Sequence, residues 1–132
     1  MKFYDFGLAV AICVALWLGA VVATWNIEVP PEKILDGIYY DLQQEATPYW
    51  TCFTYVDFMV RKALKRGIKP VEVRCYHRDK GDRIEGHISV YYKGKFYPEF
   101  NPEGWKLKLV FKVNSIEEWE RIVKNLTAKE KG

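Results

Sequence analysis

Beyond residue 31 the chain switches between two hydrophobic periods, and the switch divides it into elements. Ile34, Leu35, Ile38, Tyr39 and Leu42 recur at three- and four-residue spacing, which predicts a helix over residues 32–46. Ala46-Thr47-Pro48 ends it. A second helical run carries Phe53, Val56, Met59, Val60, Ala63 and Leu64, with Thr51 as N-cap, Cys52 as first helical residue and Gly67 as stop. From Val71 the period drops to two. Val71, Val73, Cys75 and His77 share one face of a strand, and Glu72, Arg74 and Tyr76 share the other. Residues 78–85 read as a charged turn. His87–Tyr92 and Lys95–Phe100 read as strands joined at Lys93-Gly94. After a turn at Asn101–Gly104, Trp105, Leu107, Leu109, Phe111 and Val113 alternate with Lys106, Lys108 and Lys112 in a fourth strand. Ser115 and Glu118 form a capping box. It opens a terminal helix with Ile116, Trp119, Ile122, Val123 and Leu126 on one stripe, and residues 128–132 follow as a flexible tail. The order predicts an α+β domain over residues 32–127, its four antiparallel strands mostly a meander.

The first 25 residues follow neither period. Phe6 to Trp25 is a run of 20 residues without a charge. At ~1.5 Å per residue it spans ~30 Å, the thickness of a bilayer core. Trp25 stands where an interfacial anchor would. The run exceeds the apolar core of a cleaved signal peptide, roughly 7–15 residues, so we read residues 1–25 as an uncleaved anchor contacting membrane lipid through residues 6–25. Asn26 to Pro31 is a stiff linker ending in Pro-Pro. Lys2 precedes the span, whereas Lys33 stands alone among Glu28, Glu32, Asp36 and Asp41 after it. The positive-inside rule then predicts a single-pass protein with its domain extracytoplasmic.

The formal charge of +3 is too small, and too mixed with acids, to mark a nucleic-acid binder. Of three cysteines, Cys13 falls in the apolar span. Cys52 and Cys75 belong to the domain, where an oxidising compartment would permit a disulfide between them. Cys75 and His77 form a close pair without the spaced second pair of a structural zinc site, so no metal and no cofactor are expected.

Cys52 carries the candidate chemistry. A thiol opening a helix meets free N–H groups and the positive end of the dipole, both of which favour thiolate. Nucleophilic catalysis also needs an imidazole and a group that orients it. His87 is the candidate base, with Glu99 or Asn101 as orienting group. Matching apolar faces across a three-residue loop at 92–94 predicts Glu99 opposite His87 and Asn101 one diagonal step further. Gln44, or its neighbour Gln43, is a candidate side-chain oxyanion donor. His77 is a reserve base on the same face as Cys75, which reads as a core thiol.

The ordered set Cys52 at a helix start, Ala63-Leu-Lys-Arg-Gly-Ile-Lys-Pro-Val-Glu-Val73, Gly86-His-Ile-Ser-Val-Tyr-Tyr-Lys-Gly-Lys-Phe-Tyr97 and Asn101-Pro102 resembles the core of the transglutaminase-like superfamily. The resemblance covers about residues 48–104. It implies a papain-like fold and a triad of Cys52, His87 and Asn101, with Asn where the family has Asp and Ser89 where it has an aromatic residue. The function it implies is hydrolysis of peptide or amide bonds in a peptide or protein substrate. The alternative is a catalytically inactive, membrane-tethered binding or structural module on the same fold.

Overall fold

The computed structural model describes residues 29–131, with side chains through residue 128. The expected anchor at residues 1–25 and most of the expected linker lie outside the described residues. Among those that are described, no helix is long and apolar enough to cross a membrane. The domain begins at Pro31 and is α+β: three helices and a four-stranded antiparallel sheet. In chain order the elements are α1 (Pro31–Glu45), α2 (Cys52–Lys65), β1 (Val71–Asp79), β2 (Ile84–Tyr92), β3 (Lys95–Tyr97), β4 (Lys106–Val113) and α3 (Ile116–Lys131). The terminal helix therefore continues through residues expected to form a tail.

The core follows from the two periods. Leu35, Ile38 and Leu42 of α1 and Val56, Met59, Val60 and Ala63 of α2 are buried together with Val71, Val73, Ile88, Val90 and Val113 of the sheet. Val73 lies opposite Val90 in the β1–β2 pair and opposite Phe111 in the β1–β4 pair, so one face of the sheet receives the helices. Trp119 of α3 completes this core. It is fully buried, and its Nε1 donates to Asp57 Oδ1 at 2.8 Å. Arg61 donates to the same oxygen at 3.0 Å, so one carboxylate ties α2 to α3. Asp36 plays the matching part between α1 and β3, accepting from Lys95 Nζ at 2.6 Å and from the Tyr97 hydroxyl.

Three expectations are corrected. The sheet order is β3-β2-β1-β4, so β4 crosses to the far edge beside β1 and the sheet is not a simple meander. The hairpin loop has two residues, not three: Tyr92 pairs with Lys95, Tyr91 with Phe96 and Val90 with Tyr97. Lys93 and Gly94 both have positive φ, 45° and 85°, the backbone of a tight turn whose twist matches the flanking strands. β3 then stops at Tyr97, because Pro98 has no N–H for the ladder. Finally, β4 does not keep one alternation. Cys75 pairs with Leu109 but Tyr76 with Leu107, leaving Lys108 as an extra residue. This bulge keeps Leu109, Phe111 and Val113 on the helix side and turns Leu107 to the other.

Replacing Asp57 by Ala would leave a buried indole N–H without its acceptor, at a cost of about 1–3 kcal/mol. Urea denaturation should show that loss, and it should shrink when Trp119 is already Phe, which has no N–H to orphan.

Candidate functional site

The α2 helix starts where its sequence says it should. Thr51 has extended backbone, its Oγ1 accepts from Thr54 N at 3.3 Å, and Thr54 Oγ1 accepts from Thr51 N at 3.4 Å. Cys52 is thereby fixed as the first helical residue, half-buried against the core. At its other end α2 leads through Gly67 and Pro70 into β1, so the two elements run in opposite directions. The 14 residues of α2 rise ~21 Å, and the six steps from Val71 to His77 rise ~20 Å. Cys52 thus lies level with Cys75 and His77.

Those residues line a cleft of about 790 Å³. Its walls include Cys52 and Phe53 of α2, Cys75 and His77 of β1, Ile84 to Ile88 of β2, Lys108 and Leu109 of β4 and Leu126 of α3. Cys52 and Cys75 are free thiols, so the disulfide considered from the sequence is not formed. Burial pushes the Cys75 thiol up to about 11, with the Lys108 charge opposing it and the neighbouring Cys52 adding to it. Among the described residues no group of three or more His, Cys, Asp or Glu side chains is arranged to hold a metal ion.

The structure does not bring the three triad candidates together. Strand alternation decides the matter. His87 lies opposite Tyr76, while Ile88 lies opposite Cys75. Ile88 and Val90 face α2, so alternation turns the His87 side chain to the opposite face from Cys52, even though His87 borders the same cleft. There it stacks on Phe100, ring centroids 3.9 Å apart at an interplanar angle of 13°, with Trp105 at 6.1 Å. Tyr76 and Phe96 complete this second, aromatic cluster. Its rim is covered by Arg78, 4.3 Å from the Trp105 ring, and by Arg74, 3.5 Å from the Tyr91 ring.

His87 is also committed by hydrogen bonding. Its Nε2 is 2.7 Å from Ser89 Oγ, and that hydroxyl donates to the Pro98 carbonyl at 3.2 Å. The hydroxyl thus links the imidazole to the Pro98 carbonyl, and which of His87 Nε2 and Ser89 Oγ donates follows from the ring tautomer. Burial lowers the His87 pKa below its ordinary value and favours the neutral form. Asn101 is exposed, and its Oδ1 accepts from Glu103 N at 3.1 Å, capping its own turn. Glu99 is exposed off the end of β3, and its N–H donates only a long bond, 3.4 Å, to the Tyr39 hydroxyl oxygen. Gln44 is exposed near the end of α1 and is not among the cleft residues. The expected pairing of Glu99 and Asn101 with His87 fails for two reasons. The two-residue turn shifts the register by one, and Pro98 ends the strand before either is reached.

Sequence reasoning had set two residues aside. His77 shares the cleft and the helix-side face with Cys52, which its alternation with Val71 and Val73 already indicated. Ser89, read as a departure from a family pattern, is fully buried as the partner of His87.

In comparison with known proteins, no family model, no curated protein and no solved structure matches the chain.

Two measurements check this arrangement. Because the folded His87 pKa is depressed, its contribution to stability is complete above the unfolded value of ~6.5 and is lost as pH falls through the folded value. Unfolding free energy should therefore decline from pH 7 to 5, and His87→Asn should flatten that decline. At pH 8 the Cys75 thiol is almost wholly protonated, so peptide mapping after brief iodoacetamide treatment should find Cys75 unmodified, and brief denaturation should restore its labelling.

Proposed function

We propose that this chain is a membrane-tethered binding module whose α+β domain holds an apolar stretch of a peptide or protein partner in the cleft beside Cys52. The observation that carries this reading is the location of the His87 ring: turned by strand alternation from the face that carries Cys52, hydrogen-bonded to Ser89 and stacked on Phe100. A Cys-His-Asn relay needs thiol, imidazole and amide in hydrogen-bond sequence. Asn101, spent on its own turn, supplies no third member. The cleft itself supports binding. Its volume lies within the roughly 300–1,000 Å³ of ligand sites, and it is lined by Phe53, Ile84, Ile88, Leu109 and Leu126 together with the polar side chains of His77, Glu85, Lys108 and Thr127.

A second reading keeps the hydrolase of transglutaminase-like type and changes its base. Cys52 and His77 line the same cleft on the same side of the sheet. In that dyad His77 takes the thiol proton, the thiolate attacks an amide carbonyl, the C–N bond breaks as His77 returns the proton to the leaving amine, and water releases the acid.

The full-length chain separates the two when treated with an alkyne-tagged iodoacetamide at pH 7 and with a mixed fluorogenic peptide library. For a binding module, wild type, His77→Ala and His87→Ala label Cys52 at one rate and none cleaves the library. For the dyad, wild type cleaves, and His77→Ala slows labelling about tenfold and abolishes cleavage. Cleavage that needs His87 would overturn both readings.

A further inference from the structure

β4 is the long open edge of the sheet. β3, the opposite edge, has three residues and is tied to α1 through Asp36. β4 has eight, and only its β1 side is paired. Among the described residues, alternate backbone N–H and C=O groups along it therefore face outward without a strand partner. Its side chains are unusually open for an element so apolar: Leu107 is 48 % exposed, Leu109 37 % and Val110 44 %. The same eight residues carry Lys106, Lys108 and Lys112 and no acid. None of the three lysines joins an ion pair among the described residues. Lys112 lies opposite Glu72, but that carboxylate is held by Arg74 at 2.7 Å.

We infer that the β4 edge is a strand-addition surface for an acidic, extended segment of a partner protein. Hydrogen bonds to the outward backbone supply the pairing. Leu107 and Val110 supply apolar contact on the face away from the helices, and the lysines select carboxylates. Lysine on an edge is also a common guard against aggregation. Here the guard and the selection are one effect, because a row of cations repels a second copy of itself. Antiparallel self-pairing centred on Leu109 would set Lys106 against Lys112 of the other copy, which disfavours a homodimer. An acidic strand meets the opposite sign at each of those positions. Lys108 and Leu109 also border the cleft, whereas Lys106, Leu107, Val110 and Lys112 lie outside its lining and distinguish the edge from it.

The test uses the full-length chain in detergent micelles, isotopically labelled, and two synthetic octapeptides. One combines Val with Glu on both faces of the strand; the other carries Lys in place of Glu. The acidic peptide should shift the amide signals of residues 106–113. The lysine peptide should not, and the double variant K106E/K112E should reverse the preference by about tenfold in each direction. Raising the salt should weaken the acidic peptide. Both side chains are exposed, so the variant should keep the wild-type spectrum elsewhere. Equal binding of the two peptides, amide shifts confined to the cleft, or sedimentation showing a dimer that K106E/K112E strengthens would each overturn the proposal.

Discussion

The domain depends on one contact layer: Val56, Met59 and Val60 of α2 against Val73 and Val90 of the sheet. Burying these five side chains removes from water what neither a lone helix nor a lone hairpin could hide. It also fixes direction. Once Val73 and Val90 point at α2, every other side chain of β1 and β2 is assigned a side by alternation alone. Cys75 and His77 join the helix; Tyr76, His87 and Ser89 turn from it. The chemistry available to Cys52 is thus set by packing at the centre of the sheet, several residues away.

On the other face, the sheet builds a second hydrophobic layer without a helix. Phe96, Phe100, Tyr76 and the His87 ring stack edge to face and face to face, and Arg74 and Arg78 lie across them. Guanidinium groups suit this task because they are flat and weakly hydrated. Histidine contributes as an aromatic ring, its neutral form favoured by burial and its Nε2 tied to the Ser89 hydroxyl. A residue type read first as a base is here a packing ring.

Much of this was legible in the sequence, and what was not has a physical reason. The helices, the strands other than the third, the cap at Thr51 and the Lys93-Gly94 turn could be read because each rests on local periodicity or a local steric rule. The α2–β1 link could be read too, since Gly67 and Pro70 punctuate it. The candidate site could not, because it required a register. One residue in the hairpin loop moved Glu99 away from His87, and one proline removed the strand on which Glu99 and Asn101 were to sit. The face of His87 was nevertheless within reach. Ile88 and Val90 are apolar and flank Ser89, so parity alone assigns His87 to the other side. The order of motifs along the chain carried more weight than that alternation, and alternation decided the geometry.

The extra residue at Lys108 has a consequence of its own. Because the bulge resets alternation, β4 belongs to two surfaces in succession: its carboxyl half to the helix layer and its amino half to the aromatic layer. Substitution at Lys108 changes only one exposed side chain. Removing Lys108 would close the bulge and leave Leu107 beside Leu109, on opposite faces and with the same partners, Tyr76 and Cys75, whereas drawing Lys108 into the ladder opposite Tyr76 would carry Leu107 to the helix side. At this point the strand tolerates a change of letter, and even the loss of one, so long as no extra residue enters the pairing.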